Sequence, residues 1–282
     1  MKHVVRQIPS WLLLLLMVSG ALATEGQWSI FGYVSYSNGN YYLTEPTRNF
    51  YIAGGFRYRT LKWNASLSVP LVIQNSNLVQ QTGNVFFPMG PEADTDGASG
   101  WPNNMGMGNW GRHRNFQPPS SQYISGLGDA YGYATYQLIG GDFKTYTLNV
   151  NGQVKIPTAN RTFGTGEWDF GGSLAFQKLF TGTFSMGAEL GYLVIGDPDS
   201  IQFQNPVFGS FSANWVLGPH FSVSAYYLWY STIQAGIEPP RYLNLGFYYL
   251  ITDKVALSGT IGRGFTKSSA AFTSFVSLEV TL

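Results

Sequence analysis

Three groupings of residues in this chain have the types and spacing for chemistry. His220-Phe221-Ser222 sets an imidazole and a hydroxyl two positions apart. On a strand such positions share a face, the arrangement in which a histidine base activates a serine nucleophile. Spacing places no Asn or Asp to orient that imidazole, and no Gly-x-Ser-x-Gly occurs, so no catalytic residue is assigned. Glu92, Asp94 and Asp96 alternate like oxygen ligands but lack the distal Glu of a calcium loop. They read as solvated loop charge, and no metal site is expected. Gly164-Thr165-Gly166 has no Lys-Ser/Thr after it and no helix to follow, so it is not a phosphate loop. There is no cysteine, which removes thiolate metal sites, catalytic thiols and disulfides. No cofactor is expected.

What remains is a set of charges on otherwise polar strand faces: Arg57, Arg59, Asp129, Lys155, Asp169, Glu189 and Glu279. Their positions follow from alternation. From Lys144 to Ile156, Tyr146, Leu148, Val150, Val154 and Ile156 fall on one parity. Thr145, Thr147, Asn149, Asn151, Gln153 and Lys155 fall on the other. A period of two marks a strand with one apolar and one polar face. Thirteen such residues exceed the usual globular strand and suffice to cross a bilayer at a tilt.

The pattern recurs. Strands are expected at Trp28–Ser37, Phe50–Thr60, Trp63–Val69, Asp129–Leu138 and Lys144–Ile156. The next are Trp168–Leu179, Phe184–Val194, Val207–Leu217, Phe221–Tyr230, Arg241–Ile251, Val255–Gly262 and Phe272–Leu282. Connections alternate long and short, with the longest running from Pro70 to Ser125 after the third strand. That segment mixes Gly, Pro and Asn with Phe86, Phe87, Trp101 and Trp110, and is expected to fold over or into a barrel mouth. Twelve strands with all long loops at one end predict an all-β, antiparallel transmembrane barrel. Trp28, Trp63, Trp168, Trp215, Trp229 and Tyr242 lie near strand ends, where interfacial girdles belong.

Composition agrees. Charged residues are 11% of the chain against roughly 25% in an average soluble domain, while aromatics reach 16% with 34 glycines. The balance of +1 gives no electrostatic case for nucleic acid. Lys2 and Arg6, the apolar run Trp11–Val18 and Ala21-Leu22-Ala23 read as a signal peptide over 1–23, leaving a barrel over 24–282. A bacterial outer-membrane location is therefore expected, with outer-membrane lipid and the barrel assembly machinery as partners.

Gly126-Leu127-Gly128-Asp129, Lys155-Ile156-Pro157-Thr158, Gly164-Thr165-Gly166, Thr252-Asp253 and Gly262-Arg263-Gly264 carry a family resemblance. With these motifs the chain resembles the Putative MetA-pathway of phenol degradation family. It departs at Asn160, where the family often has an acid, at Ala270, where Pro-Asp often opens the last strand, and at the final Leu282, where barrels commonly end in an aromatic residue. The resemblance implies an outer-membrane barrel that passes hydrophobic or aromatic compounds.

The expected function is an outer-membrane channel or transporter for a small, hydrophobic or aromatic solute, and not an enzyme. The seven charges are its pore-lining candidates. Twelve strands lie between barrels filled by their own side chains and barrels with a water channel, and mutual bridging that stiffens the wall is the reading favoured for these charges over a transport role. The alternatives are a non-transporting structural or adhesive barrel and, less favoured, a lipid-acting enzyme using Ser222.

Overall fold

A computed structural model describes residues 26–43, 45–82, 85–88, 119–140, 144–160, 162–198 and 202–282. The expected signal peptide and the Glu92–Asp96 acids lie outside these residues.

The wall is built from β1 (Gln27–Gly39), β2 (Thr47–Arg59) and β3 (Trp63–Gln74). A hairpin follows, β4 (Val79–Thr82) and β5 (Val85–Pro88), which among the described residues pairs only with itself. The wall resumes with β6 (Ile124–Leu127), β7 (Ala130–Ile139), β8 (Tyr146–Ile156), β9 (Asp169–Thr181) and β10 (Phe184–Val194). It ends with β11 (Val207–Val216), β12 (Phe221–Tyr230), β13 (Arg241–Thr252), β14 (Val255–Gly264) and β15 (Phe272–Thr281). Every stave is antiparallel to the next, and β1 pairs with β15 from Ser29↔Thr281 to Asn38↔Phe272. β6 and β7 together make one stave against β3, so the closed ring has twelve staves. Closure leaves no unpaired edge, the condition for a sheet in hydrocarbon.

Local chemistry fixes the short turns. Thr60 Oγ1 accepts from the N–H groups of Lys62 (3.3 Å) and Trp63 (2.9 Å). Thr181 does the same for Thr183 and Phe184, and Thr252 for Lys254 and Val255. Each hydroxyl satisfies donors that the reversing chain would otherwise leave open.

The outer face is apolar. Ile30, Val34, Ile52, Phe56, Leu174, Leu190, Phe211, Leu245 and Leu278 are exposed, a surface that only hydrocarbon can cover. Aromatic pairs ring both ends. Trp28 and Tyr58 (4.9 Å between ring centres), Trp63 and Tyr136 (4.7 Å) and Phe184 and Trp215 (5.2 Å) lie at the short-turn end. Tyr36 and Phe50 (4.7 Å) and Trp168 and Phe170 (5.9 Å) lie at the long-loop end. Tyr242 does not join them; it faces inward and is buried.

The third strand differs from expectation. It runs through Pro70 to Gln74, where the sequence suggested a loop from Pro70. The Pro70 carbonyl accepts from Gly128 N–H (2.8 Å), so the missing Pro70 N–H faces the break between β6 and β7, where no ladder bond is lost. The connection therefore spans 75–123, not 70–125. Its described part holds the β4–β5 hairpin, while residues 83–84 and 89–118, including Trp101 and Trp110, fall outside the described set.

Candidate functional site: a lumen plugged at one end

Inward-facing residues change character with height. Along β7, Tyr131 is 5% exposed, and Tyr133, one step toward the short-turn end, is 36% exposed. The same trend runs around much of the ring, with Ser29, Phe31 and Ser185 as buried exceptions at the short-turn end. Ser37, Asn49, Gln74, Lys155, Leu193, Phe208 and Tyr230 are buried toward the long-loop end. Tyr33, Gln153, Glu189, Ser210 and Tyr226 are only half-buried below them. The lumen is thus sealed in its long-loop half and forms a chamber in its short-turn half. A cavity of about 200 Å³ in that chamber is lined by Asn214, Ser222, Tyr248, Ser258, Thr260 and Phe275, among others.

The seal is an apolar core inside the barrel. Leu78, Val79 and Phe87 of the hairpin segment pack with Leu193, Phe208, Tyr230 and Tyr242 of the wall, and with Tyr41, Leu43, Ile195, Phe203, Ile233 and Ile237 of the long loops. Phe87 meets Phe203 edge-on at 6.2 Å, and Phe86 meets Tyr51 at 5.2 Å. Burying side chains of this size contributes roughly 1.5–3 kcal/mol each, which holds the hairpin in the mouth. Part of that gain offsets backbone strain. Tyr41 (φ 49°) and Tyr42 (φ 69°) sit in the left-handed region, which side chains other than glycine rarely adopt. Tyr41 gains a buried place in the core, and the Tyr42 hydroxyl accepts from Glu238 N–H (3.1 Å). Burial pushes the Tyr41 phenol well above its ordinary pKa, and Tyr242 adds to the shift.

The rim of the seal is less complete. Among the described residues, the side-chain oxygens of Asn49, Gln74 and Gln80 are buried without a hydrogen-bond partner. Gln74 and Gln80 both donate instead to the Thr162 carbonyl, at 3.2 and 3.3 Å. Each orphaned oxygen costs about 1–3 kcal/mol, which narrows the gap between the seated hairpin and an unseated one.

Residues of the motifs noted in the sequence converge beside that carbonyl. Thr158 Oγ1 accepts from Ala130 N–H (2.9 Å) and donates to the Gly128 carbonyl (3.2 Å). Asp129 accepts from Ala159 N–H (3.1 Å). A side chain at Gly164 would strike the Asp129 carboxylate, and one at Gly126 would strike the Phe163 ring. Lys155 Nζ donates to Thr165 Oγ1 (2.6 Å) and pairs with Asp169 (2.8 Å). Asp169 in turn accepts from Gly196 N–H (3.1 Å). These contacts latch residues 157–160 and 162–168 across β6 to β9 and place Thr162 and Phe163 against the plug.

The seven charges therefore fall at three heights. Asp129, Lys155 and Asp169 are inward at the long-loop end, sealed under the latch; the Lys155–Asp169 pair is only 1% and 3% exposed. Arg57, Arg59 and Glu279 meet near the short-turn end. Arg57 bonds to Glu279, Arg59 lies 3.4 Å from it, and Arg57 stands 5.0 Å over the Phe31 ring. Glu189 is alone at mid-height, accepting from Asn151 (3.1 Å) and from Ser173. Parity predicts which residues face inward. It does not show that Arg57 and Glu279 meet across β1, or that Lys155 and Asp169 are register partners.

Ser222 faces the chamber at the short-turn end and His220 is exposed in the turn before it; among the described residues no hydrogen bond joins them. Among the described residues no three His, Cys, Asp or Glu side chains come together as a metal site.

The sequence profile of the Putative MetA-pathway of phenol degradation family matches residues 83–280, well over half of the chain. The chain belongs to that family. The latch thus explains what part of the family pattern does in this fold: its Gly, Asp, Lys and Thr positions fasten a loop to the wall. No curated protein matches the chain. Among solved structures it is similar to the COG4313 outer membrane channel from Pseudomonas putida F1, with TM-score 0.59 and 12% identity over 91% of this chain and 96% of that one. It is also similar to the NanC porin, with TM-score 0.51 and 8% identity over 90% and 98%. At these identities the likeness is one of fold.

Proposed function

We propose that this family member is an outer-membrane channel for small hydrophobic or aromatic solutes, described here in its closed form. The observation that carries this reading is the division of the lumen. A barrel kept only as scaffold has no need of a chamber lined by aromatic and polar side chains that ends at an apolar plug. In a bacterial outer membrane the long loops face outward and the termini face the periplasm, as in other barrels of this kind. A solute entering from outside meets Phe86, Phe87 and Phe203 first. It then passes Tyr51 and Tyr131 to reach Tyr33, Tyr133 and Phe275 in the chamber. Opening requires the β4–β5 hairpin to leave its seat. The paired charges stiffen the wall, and the likeness to solved channels and the porin supports the fold on which this rests.

The test is uptake of radiolabelled toluene by intact Gram-negative cells, whose lipopolysaccharide slows apolar solutes, with and without the protein. Faster uptake in producing cells is expected. Equal uptake, together with a barrel that stays electrically silent after the hairpin is removed, would favour a structural or adhesive role for the loops. Lipid hydrolysis abolished by Ser222→Ala would instead revive an enzymatic one.

A further inference from the structure

Among the described residues Glu189 is the one lumenal carboxylate at mid-height, and no cation lies within ion-pair distance of it. Asn151 and Ser173 both donate to its Oε1. Among the described residues Oε2 takes no protein hydrogen bond. The surroundings are unusually small. Gly187 and Gly191 flank Glu189 on its own strand, Ala175 lies opposite on β9, and Ser210 lies opposite on β11. Phe208 closes over Gly191 one step above, so the carboxylate stands directly beneath the plug, at the head of the chamber. In a ring of twelve staves, β10 lies opposite β1, whose mid-point residue Tyr33 packs on Phe275 at 5.2 Å. One side of the chamber therefore offers a carboxylate with free acceptor capacity and room around it. The other offers aromatic faces.

We propose that this is a cation site that takes a protonated primary amine carried on an aromatic or short alkyl stem. The ammonium has three donors for Glu189 Oε2 and the Ser210 hydroxyl, and the stem meets the aromatic side. A divalent metal fits less well, because it would need further anionic oxygens that the neighbouring Ser, Ala and Gly do not supply. The inference deepens the channel reading by naming a solute class for it. The site lies on the chamber side of the plug, so its occupancy does not require the hairpin to open.

The test is calorimetric titration of the detergent-purified barrel with 2-phenylethylammonium, 2-phenylethanol and phenylacetate, which share a ring and differ in charge. The ammonium is expected to bind about tenfold or more tighter than the alcohol, the scale of a hydrogen bond to a charged group, and phenylacetate weakest. Glu189→Gln, which keeps acceptors for Asn151 and Ser173, should bring the ammonium down to the alcohol and leave the alcohol unchanged. Ser210→Lys keeps the carboxylate but sets an internal ammonium opposite it, and should abolish the preference by a second route. Equal binding of ammonium and alcohol to the wild type, or a preference that survives both substitutions, overturns the proposal. Conductance separates the two readings: a hairpin-less barrel that conducts without ammonium preference sinks only the site, and one that shows the preference but never conducts sinks only the channel.

Discussion

Replacing Phe87 with Ala should convert a mostly closed barrel into a frequently open one. Phe87 is fully buried, packed edge-on against Phe203 within the apolar core of the mouth. Removing such a ring costs about 3–5 kcal/mol when the cavity does not collapse. The loss falls on the seated hairpin alone, because an unseated Phe87 has no core to lose. The equilibrium between unseated and seated forms then shifts roughly 150- to 4,000-fold. An unseated form present at about 0.1% would rise above about 10%. Single-channel recording in planar bilayers reads this directly as open fraction. The wall's ladder bonds do not involve Phe87, so the variant should still migrate differently on gels when boiled and unboiled. An unchanged open fraction in a variant that keeps this heat-modifiable mobility would refute the assignment of the hairpin as plug.

Lys155→Met should lower the thermal midpoint of the barrel sharply, since it strands a buried Asp169 at a cost of about 3–5 kcal/mol; adding Asp169→Leu should recover much of the loss, and circular dichroism melting checks both. Seating of the plug should weaken as pH rises past 10. The Tyr41 phenol is held neutral by burial above its ordinary pKa, so its contribution is complete below pH 10 and is lost on the way up to the folded value. Open fraction measured at pH 9 and 11 should therefore increase, and Tyr41→Phe should blunt the increase. Glu279→Gln should change stability by no more than about 1 kcal/mol, because the pair is partly solvated. It should shift reversal potentials toward anions by unmasking Arg57 and Arg59.

The wall was largely legible because a membrane barrel writes its geometry at period two. Phe184–Val194 and Phe221–Tyr230 have in the structure the bounds that alternation alone assigns. Turn chemistry helped: Thr-Gly at 181–182 and Thr-Asp at 252–253 mark reversals that the threonine hydroxyls do close. The plug was legible only as a loop expected over or in the mouth, not as a hairpin or in its seat. β4 and β5 have four residues each, too short for a period, and their seat is assembled from several separate stretches of chain. An aromatic residue near a strand end is equally at home in a girdle or in a plug. Tyr242 went inward because Arg241, Leu243 and Leu245 occupy the outward parity. Pro70 looked like a strand breaker because nothing in its neighbourhood reveals that the stave beside it is interrupted at Gly128 and Asp129. Pairings such as Arg57 with Glu279, 222 positions apart, depend on ring closure and cannot be read before the register is known.

The central claim is that the lumen is a closed channel whose stopper is the β4–β5 hairpin. Its most direct test is the conductance, in planar bilayers, of a barrel in which Val79–Pro88 is replaced by a Gly-Ser linker. The intact barrel should be mostly silent and the excised one should show a steady, narrow-pore conductance. An excised barrel that keeps its heat-modifiable mobility and remains as silent as the intact protein would contradict the account.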